Sequence, residues 1–193
     1  MRKQTITNPR ARLAAAATLV GIAIAPALAE TPDRAAEGRE IAAAFGAELR
    51  AELQAAMAEG GPLAAIRVCN EDAPRIAAAV AERSGAEVGR TSSKVRNPAN
   101  RPDVHQREVL AEFADSIAAG NLEPPPEQLD TLEDGRVRFM SAIIMQPPCL
   151  ACHGAELAPP VATAIATLYP EDEARGYGIG ELRGAFSITW PAN

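Results

Sequence analysis

The pentapeptide Cys149-Leu150-Ala151-Cys152-His153 constrains this chain more than any other part of its sequence. Two thiols three residues apart lie on one turn, so each can form a thioether with a haem vinyl group. The histidine that follows can bind the iron from the attached side. The sequence therefore predicts one covalently attached haem c, with Cys149 and Cys152 as its anchors and His153 as an iron ligand.

A bare C-x-x-C pair has two other interpretations. It can be half of a zinc site, but the sequence offers no second pair of ligands at a suitable spacing. It can be a redox dithiol, which usually lies near a βαβ unit. Here the preceding residues, Gln146-Pro147-Pro148, are typical of a loop. The haem interpretation is therefore favoured.

The first 29 residues are predicted to be a secretory signal peptide. A basic start containing Arg2 and Lys3 precedes an apolar stretch from 13 to 25, and Ala27-Leu28-Ala29 forms an A-x-A cleavage site. The apolar stretch is too short for a membrane anchor, and Pro26 interrupts it. We expect cleavage after Ala29, export to the periplasm, and a single haem-binding domain over residues 30–193.

The charge of the exported part limits its partners. The signal segment carries four of the 19 Lys and Arg residues and none of the 25 Asp and Glu residues, so the remaining 164 residues have a net charge of −10. Such an acidic protein is a poor match for nucleic acid or an anionic membrane. Docking on a basic redox or signalling protein is compatible with it, and we expect no membrane span after cleavage.

The first half of the exported part is predicted to be helical. Residues 33–58 have an apolar residue at every fourth position, Gly60-Gly61 ends that helix, and Pro62 can open the next one. A further helix is expected from Asp72 to about Arg83. The predicted ridge of the first helix consists of Ile41, Phe45, Leu49, Leu53 and Met57, and Leu63, Ile66 and Cys69 are predicted to share the face of the second.

The second half mixes strands and helices. Strands are predicted over 87–92, 137–143 and 186–190, and a helix with core face Val109, Leu110, Phe113 and Ile117 is expected after Asp103. A short helix is expected over 161–168, and the proline-rich stretch 123–130 is predicted to be an extended surface connection. The fold class is therefore α+β, a small antiparallel sheet with a long N-terminal helix and helical inserts.

Several segments together resemble a family of exported single-haem c-type proteins with a PAS-like fold, first described in cyanobacteria. The domain has no assigned function and also occurs as the extracytoplasmic part of some histidine kinases. The resemblance implies a PAS-like fold and a cysteine at position 69 as the second axial ligand of the iron. The matching segments are 65–69, 89–100, 149–154, 169–170 and 176–188, and they span nearly the whole exported part.

The residues alone leave the second iron ligand open. Histidine, methionine and cysteine are the usual candidates, and a vacant or water-bound site is a further alternative. Cys69 is favoured because it is the odd thiol of an exported chain and is predicted to point inward. The other candidates are His105, Met57, Met140 and Met145. Arg67, Arg90 and Arg96 are potential partners of the haem propionates, although each is more often a plain surface charge.

The predicted function is single-electron transfer or redox reporting by a periplasmic haem protein. A thiolate ligand stabilises Fe(III), so the potential should be low, and two axial ligands leave no position for a substrate. We therefore expect no enzymatic activity. The second hypothesis is a haem-based gas or redox sensor that acts through a separate partner protein. The third is a peroxidase-like or haem-trafficking protein, which needs an open iron. The first helix also offers a face for a homodimer.

Overall fold

The computed structural model describes Met1 and residues 33–192. The predicted signal peptide and its cleavage site lie outside the described residues, apart from Met1. Within residues 33–192 the α-helices are α1 (Arg34–Arg67), α2 (Ala73–Ser84), α3 (Val104–Ala118), α4 (Leu150–His153) and α5 (Pro159–Leu168). None of these helices combines the length and the apolar composition that crossing a bilayer requires.

Four strands form one antiparallel sheet in the described part of the chain, in the order β1-β4-β3-β2. The two central strands, β3 and β4, are the longest, and they carry most of the buried sheet residues. The fold class predicted from the sequence, α+β with a small antiparallel sheet and a long N-terminal helix, is confirmed. The strands are β1 (Glu87–Thr91), β2 (Glu127–Thr131), β3 (Val137–Ile144) and β4 (Leu182–Trp190).

One face of the sheet is covered by α1 and α2. Phe45 of α1 lies edge-on to Phe186 of β4, with ring centroids 5.7 Å apart, and it belongs to the same buried cluster as Phe139 and Ile188. Each large apolar side chain buried in this way contributes about 1.5–3 kcal/mol to folding. The apolar ridge of α1 therefore fixes this helix along the sheet.

The opposite face of the sheet is covered by α3. Its predicted core residues are all buried, and they pack on Met140, Ala142 and Ala185. Asp103 begins the helix with a capping box, in which its carboxylate accepts from the Gln106 backbone N–H at 2.8 Å and the Gln106 side chain accepts from the Asp103 N–H. The sheet is thus enclosed by helices on both faces.

Helix α1 is interrupted near its end. Gly61 has φ 66° and ψ −159°, which breaks the helical backbone before Pro62, as the Gly60-Gly61-Pro62 sequence predicts. A π-helical turn, Val68–Asp72, then joins α1 to α2. Cys69 therefore lies within the π-helical turn, eight residues after the break at Gly61.

Two predictions for this region and for the sheet edge were wrong. Leu63 and Met57 are 46% and 42% exposed, whereas Ile66, in the last turn of α1, is buried against α5. Residues 127–131 form strand β2 rather than a mere surface connection. Its sequence hides the strand because the half-buried positions, Gln128 and Asp130, are polar while the apolar Leu129 points outward.

The contact between α1 and β3 gives a test of this packing. A methyl group at Gly38 would lie 2.7 Å from Cδ1 and 2.8 Å from Cβ of Phe139, atoms close to the strand backbone that cannot move aside. Gly38→Ala should therefore lower the free energy of unfolding by about 1–3 kcal/mol, despite the higher helix propensity of alanine. Chemical denaturation of the purified protein measures this change.

The control is a second glycine of the same helix. A methyl group at Gly46 would meet only the far end of the Phe186 ring, at 3.1 Å. Gly46→Ala should leave stability unchanged or raise it by up to about 1 kcal/mol. Equal effects of the two substitutions would show that the close approach at Gly38 does not govern the packing of α1.

Candidate haem site

The C-x-x-C-H segment forms a short helical platform at the end of β3. Cys149 ends a 3₁₀ turn, and α4 continues from Leu150 to His153. Both thiols are half-buried and neither is part of a disulfide. The helical turn places the two sulfur atoms on one side of the segment, which is the arrangement that attachment to two vinyl groups requires.

Loop residues after α5 fix the end of this platform. The Tyr177 N–H donates to the His153 carbonyl at 3.0 Å, and the Gly176 N–H donates to the Gly154 carbonyl at 3.1 Å. Gly154 has no room for a side chain, because a methyl group there would lie 2.7 Å from the Leu150 carbonyl oxygen. The carbonyls of His153 and Gly154 are therefore both held by the loop that follows α5.

The imidazole of His153 is oriented by a single hydrogen bond. Its Nδ1 lies 2.8 Å from the Ala174 carbonyl oxygen. A carbonyl only accepts, so Nδ1 carries the proton and Nε2 keeps a free lone pair, the usual arrangement of a metal-binding histidine. Burial lowers the pKa of His153 to about 3, and the charges of Arg183 and Arg96 act in the same direction. The ring is therefore neutral at physiological pH.

A buried ion pair fastens the attachment segment to the loop after β1. The Arg96 guanidinium donates from Nε to the Asp172 carboxylate at 2.9 Å, and from Nη2 to the carbonyls of Cys152 at 2.6 Å and Ala174 at 3.2 Å. Arg96 is 7% exposed and the Asp172 side chain 1%. Burial alone would raise the pKa of Asp172, but hydrogen bonds and charge from Arg96 and Arg175 outweigh it and lower that pKa.

Cys69 lies in the π-helical turn, three residues after Ile66, which packs in the same apolar cluster as Cys152. Single π turns are rare and are frequent at functional sites. Burial raises the pKa of the Cys152 thiol, Arg96 opposes this, and the nearby sulfurs of Cys69 and Cys149 add to it. The structure therefore brings all three cysteines of the chain close to one another, although they come from positions 69 and 149–152.

Apolar side chains form the walls beside these cysteines. One cluster joins the end of α1 to α5 beside Cys152, and the other packs under Cys149 and Leu150. The half-buried thiols, the imidazole with a free Nε2 and these apolar walls fit a porphyrin that carries iron. The buried members of the two clusters are Ile66, Val161, Ile165 and Tyr169, and Met145, Ala174 and Tyr177.

The other candidate iron ligands lie in different surroundings. His105 Nε2 lies 3.0 Å from the Asp130 carboxylate, a contact between the first turn of α3 and strand β2. Met140 is buried against α3, and Met57 is exposed. Met145 packs with the residues that orient His153, on the His153 side of the site. Of the five candidates for the second ligand, only Cys69 and Met145 lie near the attachment segment.

The arginines near the site were only partly anticipated. Of the three potential propionate partners, Arg67 is exposed, Arg96 is buried in its ion pair with Asp172, and Arg90 lies close to Cys69. No local pattern in the sequence points to Arg183, although it lies in the segment 176–188 that carries the family resemblance. Arg183 precedes Gly184, where strands β1 and β4 approach closely. That neighbourhood can be recognised only once the sheet register is known.

The Arg96–Asp172 pair should be essential for the folded site. Asp172→Asn removes the counter-charge and leaves the Arg96 guanidinium buried, which should lower the free energy of unfolding by about 3–5 kcal/mol. Thermal or urea unfolding followed by circular dichroism measures the loss. The neighbouring surface pair provides the control, since Glu171 contacts Arg101 at 3.2 Å with both side chains more than half exposed.

Glu171→Gln should change stability by less than about 1 kcal/mol, as is usual for exposed pairs. If Asp172→Asn were as harmless as Glu171→Gln, the buried pair would not be what holds the attachment segment in place.

Comparisons with known proteins place this architecture in a family. No curated protein matches the chain at a significant level. Among solved structures, the cyanobacterial heme-protein Tll0287 is 29% identical, with a TM-score of 0.51 over 62% of this chain and 70% of that one. The model of the Tll0287-like family matches residues 13–191. The chain therefore belongs to the Tll0287-like family.

Proposed function

We propose that this chain is an exported haem protein that carries one c-type haem and works in single-electron transfer or redox reporting. Cys149 and Cys152 form the thioethers, and His153 and Cys69 are the axial ligands. The observation that carries the proposal is the hydrogen bond from His153 Nδ1 to the Ala174 carbonyl, which leaves Nε2 free within a C-x-x-C-H segment. The similarity to a cyanobacterial heme-protein supports it.

The chain supplies ligands, orientation and exclusion of water. The bound haem supplies the iron that exchanges one electron. The neutral His153 imidazole and the Cys69 sulfur would hold the iron, and an anionic sulfur ligand would favour the ferric state, so the potential would be low. An iron held by both residues would have no open position for a substrate, which agrees with the proposed role without enzymatic turnover.

The proposed location is the periplasm. The sequence of residues 1–29 has the three regions of a secretory signal, and haem attachment to C-x-x-C-H takes place outside the cytoplasmic membrane in bacteria. The acidic surface, with a net charge of −10 over residues 30–193, suits transient docking on a basic redox or signalling protein. We propose such a protein as the partner.

The alternative function is a haem-based gas or redox sensor, and one observation favours it. The proposed ligand Cys69 sits in a π-helical turn between α1 and α2 rather than in a regular helix. Single π-helical turns inside helices are frequent at functional sites, so a ligand held in one suits a signal that begins at the iron. Binding of CO to the reduced protein would favour the sensor, and rapid reversible reduction without CO binding would favour electron transfer.

Substitution of the three cysteines tests whether the haem is covalently attached. Co-expressed with a periplasmic haem-attachment system, the wild-type protein should gain the mass of one haem and keep its colour after acid extraction. Cys149→Ala/Cys152→Ala should lose the haem on extraction, while Cys69→Ala should keep it, because this residue is proposed to bind iron only. Intact mass spectrometry measures all three and also reports whether the mature chain starts at Glu30.

Haem that is extracted from the wild-type protein as easily as from the double variant would refute covalent attachment.

Axial ligation is tested by electron spin resonance of the ferric protein at low temperature. The wild-type protein should give a low-spin signal of the thiolate type, and Cys69→Ala should convert it to a high-spin signal or to another low-spin type. His105→Gln and Met145→Leu are matched controls that should leave the signal unchanged. A high-spin wild-type signal would reject Cys69 as a ligand and favour the open-iron functions, and a change in Met145→Leu alone would assign the ligand to Met145.

A further inference from the structure

Three arginines lie around His153 and Cys69, and only one of them has a carboxylate partner. Arg96 is paired with Asp172. Neither Arg90 nor Arg183 forms an ion pair with any residue in the described range 33–192. Both side chains are half-buried, and a guanidinium partly withdrawn from water without a counter-charge is costly, so two such groups at one place indicate that an anion binds there.

Arg90 projects from β1 toward the face of the sheet that α1 covers. Its guanidinium carbon lies 5.7 Å from the centroid of the Phe45 ring, and its side chain makes no hydrogen bond within residues 33–192. Burial lowers the pKa of Arg90, and the nearby Cys69 and Tyr169 oppose that change. Arg90 therefore lies on the Cys69 side of the site.

Arg183 lies near the start of β4, on the His153 side. Its guanidinium carbon is 5.5 Å from the centroid of the Tyr177 ring, and its Nη1 donates a long hydrogen bond, 3.4 Å, to the Lys94 carbonyl. Burial lowers the pKa of Arg183, and although Tyr177 opposes this, the charges of Arg90 and Arg96 lower it further. The positive charge of Arg90 is thus one of the charges that act on the Arg183 guanidinium.

The sheet register explains why these two side chains converge. Thr91 pairs with Ala185, so Arg90 and Arg183 lie on either side of the last rung between β1 and β4. Gly184, with φ 155°, allows the two strands to approach there, because a methyl group would collide with the Thr91 carbonyl and lie 3.0 Å from Ser92 Cβ. The same corner of the sheet therefore presents both cations.

We propose that Arg90 and Arg183 bind the two propionate carboxylates of the haem, an assignment that rests on the haem function proposed above. The porphyrin of haem c carries two carboxylates, which match two guanidiniums in number and charge. The planar fork of arginine suits a carboxylate better than any other cationic side chain does. Arg96 takes no part in this, since its donors already serve Asp172 and two carbonyls.

The test uses the haem-loaded protein and two readouts. Arg90→Gln and Arg183→Gln are compared with wild type by resonance Raman spectroscopy of the propionate bending band and by the midpoint potential. Each substitution should shift the band, because the carboxylate loses its hydrogen-bond donors, and should lower the potential, because a positive charge near the iron is lost. Arg67→Gln, at an exposed position before Cys69, is the control and should change neither.

The conservative variants Arg90→Lys and Arg183→Lys keep the charge but not the fork. They should shift the Raman band while lowering the potential less than the Gln variants do. If a Gln variant fails to accumulate, the Lys variants still test whether the arginines bind the propionates. An unchanged band in both Lys variants, or a lower potential in the Gln variants without a band shift, would overturn the assignment, since charge alone would then act from a distance.

The two levels of the proposal fail in different ways. A wild-type chain that carries no covalent haem by mass would overturn the haem function, and the arginine assignment with it. Variants that carry haem normally and match wild type in both readouts would overturn the arginine assignment alone.

Discussion

The buried pair between Arg96 and Asp172 is the interaction on which the rest of the site depends. It joins three segments that are far apart in sequence: the loop after β1, the C-x-x-C-H helix and the loop that follows α5. The same guanidinium supports the Ala174 carbonyl, which in turn orients His153. A charge pair withdrawn from water makes strict demands on geometry, so it specifies one arrangement of these segments rather than adding much net stability.

Much of the fold was predictable because its signals are local. The fourfold spacing of Ile41, Phe45 and Leu49 identified α1, and Asp103 with Gln106 identified the start of α3. Strand β2 was missed since an edge strand with polar inward positions lacks apolar alternation. Leu63 was wrongly predicted to be buried for another reason. Helical spacing shows which residues share a face, but it does not show whether another element covers that face.

The residues of the candidate site also fall into those with a local sequence signal and those placed by tertiary contacts. Cys149, Cys152 and His153 are contiguous, so their shared chemistry could be inferred from spacing alone. The orientation of the imidazole depends on Ala174, 21 residues away, and the convergence of Arg183 with Arg90 depends on strand register. These relations are set by tertiary pairing, which no local pattern encodes, and they appear only when the sheet is in place.

The direction of the Cys69 side chain depends on the number of residues in the π-helical turn Val68–Asp72. Removing one residue from Val68–Asp72 would restore ordinary helical winding and rotate the sulfur by about 100° relative to the helix that follows. A substitution nearby would change the local packing gradually, whereas a deletion would turn the Cys69 thiol to another direction in one step. This segment should therefore tolerate a substitution beside Cys69 better than an insertion or a deletion.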